Sequence, residues 1–117
     1  MTDHEELVRS YYERVDAEDY EGVFALFAED VVYDRPGQEP IAGMADFREF
    51  YLTGRPLEDG EHTIDDVVVE GDVAAVRGEF SGVQDGDRVA FGFADFHEFD
   101  DAGQIARRFT YTDRDEV

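Results

Sequence analysis

Cysteine is absent from the 117-residue chain, so disulfide frameworks, thiolate metal sites and cysteine nucleophiles are excluded. Lysine is absent too: all ten basic residues are arginine, set against 31 acidic ones, for a formal net charge of −21. A chain this short of positive charge is repelled by phosphate backbones and anionic lipid, which argues against nucleic-acid and membrane-surface partners. No apolar run approaches the roughly eighteen residues of a membrane span. No basic and apolar leader is read at the start, so the expected location is the cytoplasm. Neither a repeat, a low-complexity tract nor a linker divides residues 1–117, which read as one domain around one core.

What the chain does have is enough apolar material to fold. Hydrophobic residues make up 42% and aromatic residues 14%, which favours a packed core over disorder. The acidic surface, with arginine as its sole cation, reads as adaptation to molar salt, where ions screen the self-repulsion that opposes compaction. The melting temperature is then expected to be higher in molar salt than in dilute buffer; equal values would refute this reading.

Leu7, Val8, Tyr11 and Val15 fall at helical spacing over about Asp3 to Asp16, with Tyr11 near the centre of the apolar stripe and Tyr12 on its flank. A second helix starts after Asp19, a capping residue, and turns Tyr20, Val23, Phe24 and Phe27 inward. A third runs from about Met44 to Thr53, stopped by Gly54 and Pro56. Strands are expected at Val31–Tyr33, His62–Glu70, Val73–Phe80, Arg88–Phe99 and Gln104–Thr112, with turns in 36–40, at Gly71-Asp72, at Asp85-Gly86-Asp87 and over 100–103. Helices followed by a strand meander imply an α+β fold, with three N-terminal helices on the concave face of a curved antiparallel sheet. Such a sheet, bent where Gly78, Gly82 and Gly92 permit, encloses a conical hollow fitted to a small-molecule ligand.

Several segments together are similar to a known superfamily. They are Tyr11-Tyr12-Glu13, 27–30 (Phe-Ala-Glu-Asp), 36–40 (Pro-Gly-Gln-Glu-Pro), 48–51 (Arg-Glu-Phe-Tyr) and the run from Asp95 to Ile105. Element order and these segments resemble the NTF2-like superfamily, above all its ketosteroid-isomerase and SnoaL-like members. The resemblance implies the conical α+β fold and, for function, either acid–base catalysis on a small organic molecule without metal or cofactor, or ligand binding without turnover. By position it places Tyr11 as an oxyanion-binding tyrosine, Tyr51 as a second tyrosine supporting it, and Asp95 as a protonated acid that donates to an enolate oxygen. It also implies a homodimer through the outer sheet face.

The residues themselves support two of these assignments. Tyr11 is central on its stripe, and Asp95 shares strand parity with Phe91, Phe93 and Phe99, where desolvation alone would raise its pKa. The family's general base falls on either Asp34 or Arg35, depending on where one residue is missing. A deletion in the turn at Gly37 costs less than one inside a strand, which favours Arg35 facing inward; Asp34 inward is the alternative. Arg35 within about 6 Å of Asp95 would keep that carboxylate ionised. Asp34 inward would instead complete a base, tyrosine and acid set for proton transfer beside a carbonyl.

Other candidates are ligand contacts. His97 shares a face with Asp95 and reads as a pocket-rim histidine bonded to a carboxylate, or an acid or base near neutral pH. His62 opens a strand toward the pocket, Phe93 lines it, and family register turns Arg108, Thr110 and Thr112 inward, leaving Ile105, Phe109 and Tyr111 on the outer face. No ligand spacing calls for a metal among His62, His97 and Asp95. No glycine-rich loop opens a helix to hold a nucleotide cofactor.

Overall fold

The computed structural model describes residues 4–35, 38–54, 57–84 and 86–113. Helix α1 (His4–Asp16) buries Val8, Tyr11, Tyr12 and Val15, a stripe at spacings of three and four. Glu5 and Glu6 sit in its first turn and Arg14 in its last, the arrangement that complements the helix dipole. Short α2 (Tyr20–Phe24) is capped by Asp19, whose carboxylate accepts from Gly22 N at 3.1 Å.

The strands are β1 (Phe27–Asp34), β2 (Ile41–Ala42), β3 (Leu57–Glu70), β4 (Val73–Gln84), β5 (Asp87–Phe99) and β6 (Ile105–Thr112). Helix α3 (Met44–Glu49) lies between β2 and β3 and widens into a single π-type turn over Phe50–Gly54. The helical run therefore covers the expected Met44 to Thr53 but changes geometry at Phe50, and β1 is longer than expected. Two expected turns, at 36–40 and 85–87, include positions 36, 37 and 85, which lie outside the described residues, as does the Pro56 stop signal.

The six strands form one curved sheet in the order β2-β1-β6-β5-β4-β3. It is mixed rather than antiparallel: β1 runs parallel to β6, because the chain crosses over through α3 and the β3–β5 meander before β6 returns alongside β1. The β3–β4 hairpin turns at Gly71, whose φ of 58° is the left-handed conformation glycine adopts most readily. At Gly78 a Cβ would collide with the Thr63 carbonyl oxygen, so β3 and β4 approach there only because no side chain intervenes.

Alternation along β5 buries Phe91, Phe93, Asp95, His97 and Phe99 on the helix-covered face. A register irregularity between Glu98 and Phe99 offsets the start of β6, so Ile105 is fully buried and does not join the outer face as expected. Tyr111 and Phe96 do lie on that outer face, both exposed, with ring centroids 5.9 Å apart. Among the described residues, no helix is long and apolar enough to cross a membrane.

Candidate functional site

The sheet and helices enclose a cavity lined by side chains from α1, the end of α3, and β1, β3, β4, β5 and β6. Its volume is about 40 Å3. At roughly 10–15 Å3 for each water-sized guest, that admits a few solvent-sized groups. The walls are aromatic (Phe50, Phe80, Phe91, Phe93), and the polar lining includes a cluster of Asp95, Arg108 and Thr110.

Pairing of β5 with β6 sets Asp95 opposite Thr110 and His97 opposite Arg108, so Arg108 is the diagonal neighbour of Asp95 on the same face. The Arg108 Nη2 donates to Asp95 Oδ2 at 2.8 Å, and Thr110 Oγ1 donates to Oδ1 at 2.6 Å. The Tyr12 hydroxyl makes a third bond, to Oδ2. Thr110 has one proton and spends it on the carboxylate, so the Tyr33 hydroxyl is the donor of the 3.2 Å contact between Tyr33 and Thr110.

Burial by itself would raise the Asp95 pKa, but the Arg108 charge, aided by His97 and by the Thr110 and Tyr12 bonds, holds it below the ordinary 3.8. The carboxylate is ionised and acceptor-only. This corrects the expectation of a protonated, hydrogen-donating acid: the Arg108 charge beside it and the bond from its guanidinium, which can only donate, favour the anion. The arginine responsible is Arg108, not Arg35. Arg35 lines the cavity with its guanidinium 4.4 Å from the centre of the Phe50 ring and its Nε buried without a partner, while Asp34 is absent from the lining.

Arg108 is almost fully buried between two phenol rings, its guanidinium carbon 4.7 Å from the Tyr11 ring centre and 4.4 Å from that of Tyr33. Asp95 holds one of its five N–H donors, and Nε is sealed from solvent without a partner. Beside it the Tyr11 and Tyr51 hydroxyls are hydrogen-bonded to each other. Burial raises the Tyr11 pKa well above 10, only partly opposed by the positive charge of Arg108, so this phenol keeps its proton.

His97 is also placed otherwise than expected. It is fully buried behind Tyr12 and takes no part in the cavity lining. Its ring bonds the Tyr12 oxygen through Nε2 at 3.1 Å. The Tyr12 proton goes to Asp95, so His97 Nε2 is the donor and Nδ1 is left as a bare, buried lone pair without a partner. Burial and the nearby Arg108 lower its pKa to about 3, with Asp95 opposing, so the imidazole is neutral. Its absence from the lining goes with its register: His97 lies one pleat past Asp95 along β5.

His62, by contrast, lines the cavity. Its Nδ1 lies 2.6 Å from Asp16 Oδ1 and its backbone N–H donates to Asp16 Oδ2 at 2.8 Å. The rings of Tyr12, Phe80 and Phe93 surround it at 5.1, 4.9 and 5.5 Å between centroids. Among the described residues, no group of three or more His, Asp or Glu side chains converges as a metal site.

Tyr12, Tyr33 and Asp16 were not among the sequence candidates. Tyr12 sits on the flank of the α1 stripe, and its contact with Asp95 spans 83 positions, so periodicity marks it as half-inward without showing what it meets. Thr110 shares parity with Arg108, and that signal was available.

A curved mixed sheet with helices on one face, and a small aromatic pocket holding a buried Arg–Asp–Tyr cluster, define an α+β protein with a partly polar internal pocket. The sequence profile of the SnoaL-like domain matches residues 8–108, and the chain belongs to that family. Similar solved structures agree on the fold. A candidate ketosteroid isomerase from Kribbella flavida superposes with a TM-score of 0.76 at 27% identity, over 95% of this chain and 78% of the other. A candidate SnoaL-like polyketide cyclase from Jannaschia gives 0.82 at 18% identity, over 94% and 85%. An LEH-like epoxide hydrolase from M. tuberculosis gives 0.81 at 22%, over 92% and 80%.

Proposed function

We propose that this chain binds a compact organic molecule in a conical pocket and acts on it by acid–base chemistry carried by its own side chains. In this reading a ligand oxygen that bears or develops negative charge sits against Arg108 and the Tyr11–Tyr51 pair. The observation that carries the proposal is the state of Arg108: buried, beside the cavity, with only one hydrogen bond to Asp95. A desolvated guanidinium with unspent donors favours an oxyanion, and a phenol that stays protonated favours it too. If Tyr51 donates to Tyr11, the Tyr11 proton is free for the ligand. Relatives described as polyketide cyclase, ketosteroid isomerase and epoxide hydrolase support the general class, in which isomerisation, cyclisation or hydrolysis are the candidate reactions.

A second reading, ligand binding without turnover, is favoured by one specific feature: the carboxylate of Asp95 is committed to Arg108, Thr110 and Tyr12 and so is spent as a base. Both readings share the oxyanion site. We further propose that two copies associate through the outer sheet face, where Val68, Phe96 and Tyr111 are exposed.

Small carboxylates mimic the charge of an enolate and provide the test. Cyclopentanecarboxylate at about a hundred times its Kd is expected to stabilise the protein by about 2.7 kcal/mol. Arg108→Gln is expected to weaken its affinity by at least about tenfold, the effect of losing a charge-assisted hydrogen bond. Equal affinity in the variant, or no binding by the wild type in a panel that also includes ketones, lactones and epoxides, would overturn the proposal.

A further inference from the structure

Acid–base work in this pocket requires a group that accepts a proton, and the lining offers few. The lining residues that are not aromatic hydrocarbon are phenols, threonines, two arginines, one carboxylate and one imidazole. The arginines cannot give up a proton at working pH and the phenols and threonines are poor acceptors. Asp95 accepts three hydrogen bonds already. His97 stands outside the lining and Asp34 does not reach it. By elimination the only uncommitted base facing the cavity, among the described residues, is His62.

The geometry around His62 is that of an oriented imidazole. Asp16 grips the residue twice, accepting from the backbone N–H at 2.8 Å and meeting ring Nδ1 at 2.6 Å. An ionised carboxylate accepts only, so the ring proton lies on Nδ1. In the neutral ring the opposite nitrogen, Nε2, then carries the lone pair, and it makes no hydrogen bond to the described residues. With Nδ1 held by Asp16 at the end of α1, Nε2 is the edge left to face the cavity. Asp16 itself occupies the C-terminal residue of α1, where the helix dipole disfavours negative charge, and α1 has Arg14 as its last-turn cation. A carboxylate kept in that position, with both oxygens turned to one histidine, has its energetic return in what it does to His62.

We propose that His62 is the proton-transfer residue of this pocket and that Asp16 is the positioning residue that fixes its tautomer. The inference rests on the acid–base reading given above. The substrate class it names is a compact carbonyl compound with a hydrogen on the adjacent carbon. In the step, the C–H bond breaks and its proton passes to His62 Nε2. The C–H electron pair becomes a carbon–carbon π bond, and the carbonyl π pair moves onto oxygen, held by Arg108 and Tyr11. The proton returns from Nε2 to carbon, at the same or a conjugated position, and the imidazole is restored. No oxidant, reductant or second substrate is consumed.

Two measurements test this. The first needs no substrate. The chain has three histidines, so 15N-histidine labelling gives three ring systems to assign, with His62→Gln identifying one by its loss. His62 is expected to show a protonated Nδ1 and a bare Nε2 in the wild type, and to shift toward protonated Nε2 in Asp16→Ala. A wild-type His62 carrying its proton on Nε2 overturns the inference alone and leaves the pocket reading intact. The second follows exchange of the α-hydrogens of cyclopentanone into D2O by NMR. The wild type is expected to accelerate exchange above buffer, and His62→Gln to lose at least about 100-fold, within the range general-base catalysis supplies. Asp16→Ala is expected to lower kcat more than it raises KM. Exchange unchanged within twofold in folded His62→Gln overturns the assignment; no exchange by the wild type overturns the acid–base reading and this inference with it. Binding of cyclopentanecarboxylate, expected to weaken less in His62→Gln than in Arg108→Gln, separates loss of the base from loss of the oxyanion site.

Discussion

Replacing Arg108 with methionine is expected to lower the unfolding free energy by about 3–5 kcal/mol, the range seen when one partner of a buried ion pair is removed. Both side chains are buried, at 5% and 1% side-chain exposure, so solvent screening offers little relief. Methionine fills much of the space between the Tyr11 and Tyr33 rings but leaves the Asp95 carboxylate with only the Thr110 and Tyr12 hydroxyls for stabilisation. At neutral pH the variant then either holds an anion in a dry site or takes up a proton that the wild type does not. Urea denaturation of Arg108→Met, of Asp95→Leu and of the pair together separates the terms. Each single variant is expected to be costly and the double variant to recover most of the loss, because a matched apolar pair needs no desolvated charge. A single-variant cost below about 1 kcal/mol, the worth of an exposed salt bridge, would mean that the pair is solvated and the site is not the closed one described here.

The second large effect comes from His97 and is read through acid. In the unfolded chain this histidine takes up a proton as pH falls through 6.5; in the fold, burial and the Arg108 charge hold its pKa at about 3. The unfolded state therefore binds more protons between those values, and stability falls as pH is lowered, by up to about 1.4 kcal/mol per pH unit. Asp95, held below 3.8, acts in the same direction but only at lower pH, so the interval from 6.5 to 4 isolates His97 within this network. Titration of the acidic surface changes self-repulsion in both wild type and variant and cancels in the comparison. His97→Gln, which retains an amide donor for the Tyr12 oxygen, is expected to flatten the wild-type loss across that interval. Parallel pH–stability curves for the two proteins would show that His97 protonates without cost and is not buried as described.

The sequence made the architecture accessible because helix and strand periods are local. Val8, Tyr11 and Val15 mark the inner face of α1, and the alternation from Phe91 to Phe99 marks that of β5. The parallel β1–β6 pairing was not legible, since it depends on where a crossover returns and not on any local pattern. Neither was the turn to π-type geometry at Phe50, nor the offset that buries Ile105.

The candidate site was legible by face but not by partner. Strand parity turned Asp95 inward and family register turned Arg108 to the same side, yet face alone does not say which cation a carboxylate will meet. Diagonal proximity across the β5–β6 register decided for Arg108 over Arg35. Tyr12 was underestimated because a residue on the flank of a helical stripe is assigned half to solvent, whereas its long side chain reaches across to the sheet. Asp16 is hidden in the sequence for a different reason: its partner, His62, lies 46 positions away.

The central claim is that a ligand oxygen is received by Arg108 in the pocket. A crystal structure of the wild type grown with cyclopentanecarboxylate tests it most directly. The account predicts a carboxylate oxygen within about 3 Å of the Arg108 guanidinium and of the Tyr11 hydroxyl, with the ring against Phe80 and Phe93. A carboxylate bound elsewhere, with the Arg108–Asp95 pair and the cavity unchanged, would contradict it.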